Sequence, residues 1–357
     1  MVGLSRGVVV ACAAALTASL LLVSPVSAVP PASQLVNPGL GGVVALSGTD
    51  AWAVGANNEG PDETVLIEHW DGTTWRVVRL PKMFGGLYEV SASSPSDVWA
   101  VGYYTKTGSV PFLTLTMHWD GTAWSQVPSP NLGSTVYNIL FGVSAHGTDD
   151  AWAAGTVVTK RAKTIPVATH WTGTRWSRLT QVGSPTSPVD GFTGIATPTA
   201  QSAVAVGYCQ KADLACPSGA NRSAIYSYQH GTWQPVATRN LGMLYSVDSL
   251  GPADIWAAGQ RGVAHFDGTT WKHLDTALSG KLVDIAPLSS RFALAVGQDD
   301  AESWNGTTWQ KVSTPGLGFV SSVSLDTPND GWAVGGTGSQ QLIEHWDGAS
   351  LTQYPTG

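Results

Sequence analysis

Charge is scarce in this chain. Only 12% of its 357 residues are charged, and the acidic ones prevail, 25 against 18, for a formal net charge of −7. A nucleic-acid partner asks for a basic face, so that class is excluded. Cysteine is scarcer still, with three in all. Beyond the N-terminal apolar run nothing is long and apolar enough to cross a bilayer, which excludes a later membrane span. What the chain does have is Gly (41), Pro (21) and Trp (16), with 43% hydrophobic residues. That profile predicts many short strands joined by tight turns around an ample core, rather than helices.

The first residues read as an export signal. Arg6 precedes an apolar run from Gly7 to Val23, and Val26, Ser27 and Ala28 supply small residues before a cleavage point at Val29. The alternative, a membrane anchor, fits poorly with Pro25, Pro30 and Pro31 just beyond. Cys12 lies near the start of the run rather than after it, which argues against lipidation. The expected organisation is a signal peptide over 1–28, an extension over 29–42 and one repeat domain over 43–357, secreted and monomeric. Export leaves Cys209 and Cys216 in an oxidising compartment, in one polar stretch with no further metal ligands nearby. A local disulfide is expected.

The repeat has two halves. Asp-x-Trp-Ala-Val-Gly opens it, as at Asp50, Asp97, Asp150, Asp254 and Asp330, with degenerate copies from Ser202 and Phe292. His-Trp-Asp-Gly-Thr-x-Trp closes it, from His69, His118, His170, His265 and His345, with weaker copies from Tyr228 and Ser303. That makes seven copies of about 47 residues, the size of a four-stranded propeller blade. In the second copy, strands are expected over 88–92, 98–103, 113–119 and 123–127, with Asp120-Gly121 as a two-residue turn at positive φ. Large aromatics on several strands of one sheet require cover on both faces, and a closed ring supplies it. The expected fold is all-β, a seven-bladed β-propeller of four-stranded antiparallel blades. How the ring closes is open, unless Ser33 to Gly39 provides an extra edge.

Comparing the copies adds a coupling. The leading Asp, the second-strand Trp and the third-strand His are present in the same five copies and absent together from the fourth and sixth. The Asp and His fall at one end of an antiparallel pair, which suggests a hydrogen bond between them (Asp50–His69, Asp97–His118, Asp150–His170, Asp254–His265 and Asp330–His345). As ligands or catalytic bases these histidines would have to converge, and copies spread round a ring do not. They are read as structural staples.

Asp97 to Gly102 followed by His118 to Trp124 resembles the repeats of secreted bacterial β-propeller proteins, loosely grouped with kelch, galactose-oxidase-like and sialidase-type propellers. The resemblance spans Val43 to Tyr354 and implies architecture, since propellers host lectins, hydrolases, lyases and scaffolds alike. The better-known activities lack their residues. A sialidase-type pocket implies arginines around the axis, and the expected inner strands contain none. A galactose-oxidase-like copper site implies a Tyr–Cys crosslink, and both mature cysteines sit in one loop. No cofactor or metal is expected.

Ligands of propellers dock where the loops between second and third strands gather. Those loops are long in copies one to four and short in five to seven. Tyr103 and Tyr104 are expected as an exposed pair beside Lys106, with Lys160, Arg161 and Tyr208 on the same rim, while Glu59, Asp62 and Glu63 lie on copy one. Near the axis, Glu89, Asp248 and Asp284 could serve as an acid–base pair for glycoside hydrolysis. The leading expectation is an extracellular binding module for glycan or protein. A glycan hydrolase or lyase, and an envelope-associated scaffold with no small ligand, are the alternatives.

Overall fold

The computed structural model describes residues 39–57, 63–133, 135–183, 189–209, 222–238, 241–277, 280–297, 300–315, 318–337 and 340–355. Among these residues there is no helix, and the 28 strands are antiparallel to their sheet neighbours. Each repeat copy forms a four-strand unit in chain order, with the inner strand first and the outer strand last. The inner strands are Gly39–Ser47, Phe84–Ser94, Thr135–Gly147, Val189–Ala196, Leu244–Gly251, Leu282–Ser289 and Phe319–Thr327. The first begins four residues before the expected boundary at Val43, so the end of the extension is part of the first sheet.

By hydrogen bonding there are six sheets, not the seven expected: one of eight strands and five of four. The eight-stranded sheet holds units 1 and 2. They are joined by one backbone pair, Thr64 with Phe84, flanked by bonds from Val65 N to Met83 O (3.0 Å) and from Gly85 N to Glu63 O (3.1 Å). The other neighbouring units meet face to face, mainly through side chains, with backbone bonds added between units 2 and 3 (Phe112 N to Val136 O and Asn138 N to Phe112 O, both 3.0 Å) and between units 6 and 7 (Leu351 N to Ser313 O, 3.0 Å). Ala145 N donates to Ser91 Oγ (3.0 Å) between units 2 and 3, and Thr197 N to Ser144 Oγ (3.1 Å) between 3 and 4. Thr193 Oγ1 donates to Leu244 O (2.9 Å) between 4 and 5. Asp284 ties three units, accepting from Ser246 Oγ (2.5 Å) and Val323 N (2.8 Å). Val43 N and Ala45 N donate to Ser322 Oγ (3.3 Å) and Ser324 Oγ (3.0 Å), so the last unit meets the first as the others meet each other. The circuit closes by packing, without a strand lent by the opposite terminus; of the edge considered for that role, residues 33–38 lie outside the described residues.

The repeated tryptophans explain why the units pack this way. The second-strand Trp of each strong unit inserts against the hairpin aromatics of the next. Trp52 sits 4.8 and 5.3 Å from Trp119 and Trp124, and Trp99 sits 4.8 and 5.1 Å from Trp171 and Trp176. Trp152 meets Tyr228 and Trp233, and Trp256 meets Trp304 and Trp309. Trp332 of the last unit meets Trp70 and Trp75 of the first at 4.9 and 5.1 Å. In the weak units Val204 clusters with Phe266 and Trp271, and Leu294 with Trp346 and Leu351. Apolar burial is therefore kept where the indole is not.

Behind each key Trp lies its His. Ring centroids are 4.1 Å apart for Trp52–His69, 4.2 Å for Trp99–His118 and Trp152–His170, 4.1 Å for Trp256–His265 and 4.8 Å for Trp332–His345. Each His Nε2 lies 2.5–2.8 Å from the leading Asp Oδ1. Asp, His and Trp thus form one stack, which is why they come and go together. At Asp97, burial pushes the carboxyl pKa up. Hydrogen bonds from His118 and Ser93 outweigh that and hold it below its ordinary value.

The expected two-residue turn is corrected. Trp119 pairs with Trp124, leaving a four-residue loop in which only Gly121 has positive φ (89°). Asp120 Oδ1 accepts from Thr122 N, Thr122 Oγ1 and Ala123 N at 2.6–2.9 Å, so a side chain shapes the turn. Units 3 and 4 lack this Asp or Asn: Thr172 takes the place in unit 3, and in unit 4 the loop is shorter, Gln229 pairing with Thr232 across His230 (φ 52°) and Gly231 (φ 83°). Tyr228 pairs with Trp233 and so stands in the place of the hairpin Trp, not of the His.

Candidate functional site: the axial channel

All seven inner strands carry a β-bulge at the same place. Register slips by one residue at Gly41, Tyr88, Phe141, Thr193, Tyr245, Val283 and Ser321. A bulge re-aims a side chain and bends its strand, and these seven residues all line a central cavity of about 830 Å³. The closing glycine of each Asp-x-Trp-Ala-Val-Gly motif faces that bulge. A Cβ on Gly102 would lie 2.0 Å from Gly86 O, and one on Gly155 2.0 Å from Ile139 O. The degenerate units obey the same limit, at 2.1 Å for Gly207 and 2.5 Å for Gly297. No side chain fits there, so this glycine is present in all seven units.

The frame repeats; the residues it presents do not. The bulge positions place Tyr88, Phe141 and Tyr245 on the channel wall, with Tyr88 and Phe141 in contact at 4.9 Å. Lys281 Nζ lies 4.4 Å from the centre of the Tyr245 ring, and burial lowers the Lys281 pKa. The next positions along the inner strands, each paired with the residue before the closing glycine or its counterpart, are Gly42, Glu89, Gly142, Gly194, Ser246, Asp284 and Ser322. Asp248 lies two residues further along its strand, opposite Trp256.

Glu89, Asp248 and Asp284 therefore converge in one channel. Burial raises the Glu89 pKa well above its ordinary value, and the charges of Asp284 and Asp248 raise it further. Asp248 opens to the water of the channel, yet the surrounding walls withhold bulk solvent and push its pKa to about 7; Asp284 adds to the rise. Burial also raises Asp284, against the hydrogen bonds it accepts. Raised carboxyl groups gathered in a cavity are a signature of binding and catalytic sites.

The rim residues expected from sequence distribute differently. Tyr103 is 6% exposed and Tyr208 4%, and Tyr104 is half-buried, so no exposed aromatic pair stands on the rim. The second strand runs on to Thr105, past the expected end at Tyr103, and carries these rings into the interface. Tyr103 stacks on Phe112 at 4.5 Å and donates to Glu63 Oε2 at 2.5 Å, supporting Tyr88 from behind. Burial raises the Glu63 pKa, with the Tyr103 bond opposing. Lys106, Lys160 and Arg161 are exposed on the loops. Cys209 is buried at the end of its strand. Its expected partner Cys216 lies outside the described residues, as do Glu59 and Asp62. Sequence reasoning missed Tyr88, Phe141 and Tyr245 as wall residues. Aligning the seven inner strands on their closing glycines puts them in one column, and that was the available signal.

Among the described residues no group of three or more His, Cys, Asp or Glu is arranged to hold a metal, and no helix is long and apolar enough to cross a membrane. No protein family and no curated protein matches the chain. Solved structures do. One described as YCF48 bound to D1 peptide is 17% identical, covering 89% of this chain and 99% of that one, with a TM-score of 0.53. The WD40 β-propeller domain of Doa1 is 12% identical over 86% and 93%, with a TM-score of 0.59. U3-55K is 10% identical over 84% and 89%, with a TM-score of 0.57. Identities this low speak to fold alone, and they agree with the circuit of four-strand units around an axis: the chain folds as a β-propeller.

Proposed function

We propose that this chain is an extracellular binding scaffold that docks a polypeptide at the axial channel. One observation carries the reading. An otherwise repetitive frame spends its variation at the bulge and the positions beside it, where aromatic rings and perturbed carboxyls share a cavity of about 830 Å³. Large rings beside polar groups in a preformed cavity are the usual make-up of a recognition site. A similarly folded protein described as bound to a peptide lends support.

Peptides selected from a random displayed library against residues 29–357 test it. Their affinity should fall about tenfold or more with Tyr88→Ser or Tyr245→Ala, as for central anchors, and stay unchanged with Lys160→Ala on the outer rim. Equal binding to all variants would refute channel docking. Glycan hydrolysis is the second reading, favoured by the convergence of Glu89, Asp248 and Asp284. It requires release of reducing ends from a glycan panel, lost in Glu89→Gln.

Units 1 and 2 are counted as separate blades, seven in all, because each has its own inner strand, bulge and closing glycine and they share a single backbone pair. The likeness of the repeats supports a relation to the kelch-like and sialidase-type secreted propellers. Export is tested by N-terminal sequencing of the protein from the medium, expected to begin at Val29, and the Cys209–Cys216 disulfide by thiol titration before and after reduction.

A further inference from the structure

The weakest repeat opens a second concavity, far from the axis. Two hollows of about 740 and 760 Å³ flank the outer hairpin of unit 4 and share His170, Tyr228 and Gly231 in their walls. They exist because unit 4 departs from the pattern. Its hairpin turns tightly at His230-Gly231 instead of through an Asp-led loop, and Tyr228 replaces a hairpin Trp. On the facing side, the outer strand of unit 3 is only Thr180–Gln181, displaced from the Trp171–Trp176 bridge that opens it.

Two properties of the walls indicate what could enter. Trp233 and Tyr228 remain half-exposed there, their rings 5.3 Å apart, with Trp233 held edge-on to Trp152 at 5.6 Å. Around them stand Arg178, Gln181 and Thr232. Among the described residues neither hollow is lined by any Asp or Glu, although the chain has 25 acidic residues and a net charge of −7. The nearby Asp150 has both oxygens engaged, one by His170 Nε2 (2.7 Å) and one by Gln201 N (2.7 Å). Arg178 is exposed and forms no ion pair among the described residues. An anion is repelled by most of this acidic surface and attracted here.

We infer that this edge cleft binds an acidic glycan: a pyranose ring lies its C–H face against Trp233 while its carboxylate meets the Arg178 guanidinium. Flat indole and phenol rings suit a ligand with one apolar face and a polar rim, and a guanidinium pairs a carboxylate in the plane of both. The inference is independent of the channel reading and survives its failure.

Calorimetry with tetragalacturonate and with the neutral galactose tetrasaccharide tests it on residues 29–357. The acidic sugar should bind at least about tenfold more tightly at low salt, and the preference should shrink as salt rises. Arg178→Glu should abolish that preference while leaving the fold intact, since the side chain is exposed. Trp233→Ala should weaken both sugars. Arg76→Ala, on the corresponding hairpin of unit 1, should change neither. No binding, equal binding of the two sugars, or Arg178→Glu behaving as the parent would overturn the inference.

Discussion

Five units carry the Asp–His–Trp stack and two do not, yet all seven keep the closing glycine. The difference separates two kinds of constraint. Between units the requirement is apolar volume, and Val204 or Leu294 can meet part of it in place of an indole. Inside each unit the requirement is a backbone that passes within about 2 Å of where a Cβ would be, and only glycine meets it. The two concavities follow the same division. The channel is built on the constraint every unit shares, whereas the edge cleft opens where the variable constraint lapses.

Removing a key indole should show the largest effect. Trp99 is fully buried, and Trp99→Ala should cost about 3–5 kcal/mol in denaturant unfolding, with Leu294→Ala in a weak unit near the lower end of about 2–5 kcal/mol. Equal losses would mean that the stack adds nothing to apolar burial. Glycine replacement should not discriminate between unit types. Gly102→Ala and Gly207→Ala should each destabilise by about 1–3 kcal/mol or more through forced overlap. A tolerated Gly207→Ala would show that the weak unit relaxes its bulge.

His118→Ala should cost about 1–3 kcal/mol by leaving the buried Asp97 without its main partner. Ser227→His, in the corresponding place of unit 4, should bring no gain, because Ser202 and Val204 supply neither the acid nor the ring.

The smallest effect concerns pH and two buried carboxyls on the third strands of units 7 and 1. Glu344 is 1% exposed, with one carboxylate oxygen lacking a hydrogen-bond partner among the described residues, and burial raises its pKa to about 7. Glu68 is likewise raised by burial, to about 6, with a bond from Gln341 opposing. Both groups hold protons in the folded state that they lose when unfolded. Their contribution to stability is therefore fully present below about pH 4.5 and lost as pH rises towards 7. Glu344→Gln should flatten that decline, raising the melting temperature at pH 7.5 relative to the parent by a few degrees and leaving it little changed at pH 4.5. A parallel shift at both values would assign the effect to packing instead.

Much of this was legible beforehand. Four strands per repeat, the Asp–His proximity and the burial of the tryptophans follow from period and spacing, because a motif copied seven times must occupy equivalent places. The wall residues were harder. Tyr88 and Phe141 stand in inner strands whose alternation is broken by the bulge, and a one-residue slip exchanges the faces of a strand. Tyr103 and Tyr208 read as rim aromatics because their strands seemed to end sooner than they do. The edge cleft had one visible trace, the divergent fourth hairpin, with nothing to show that divergence there would leave rings uncovered.

The repeat alone determined a cyclic stack of small sheets that must shield one another, since no single sheet hides its own indoles. Which side chains meet across the axis, and which hairpin fails to fill its groove, was decided only in three dimensions. Both depend on neighbours far apart in the chain, brought together by the closing of the circuit.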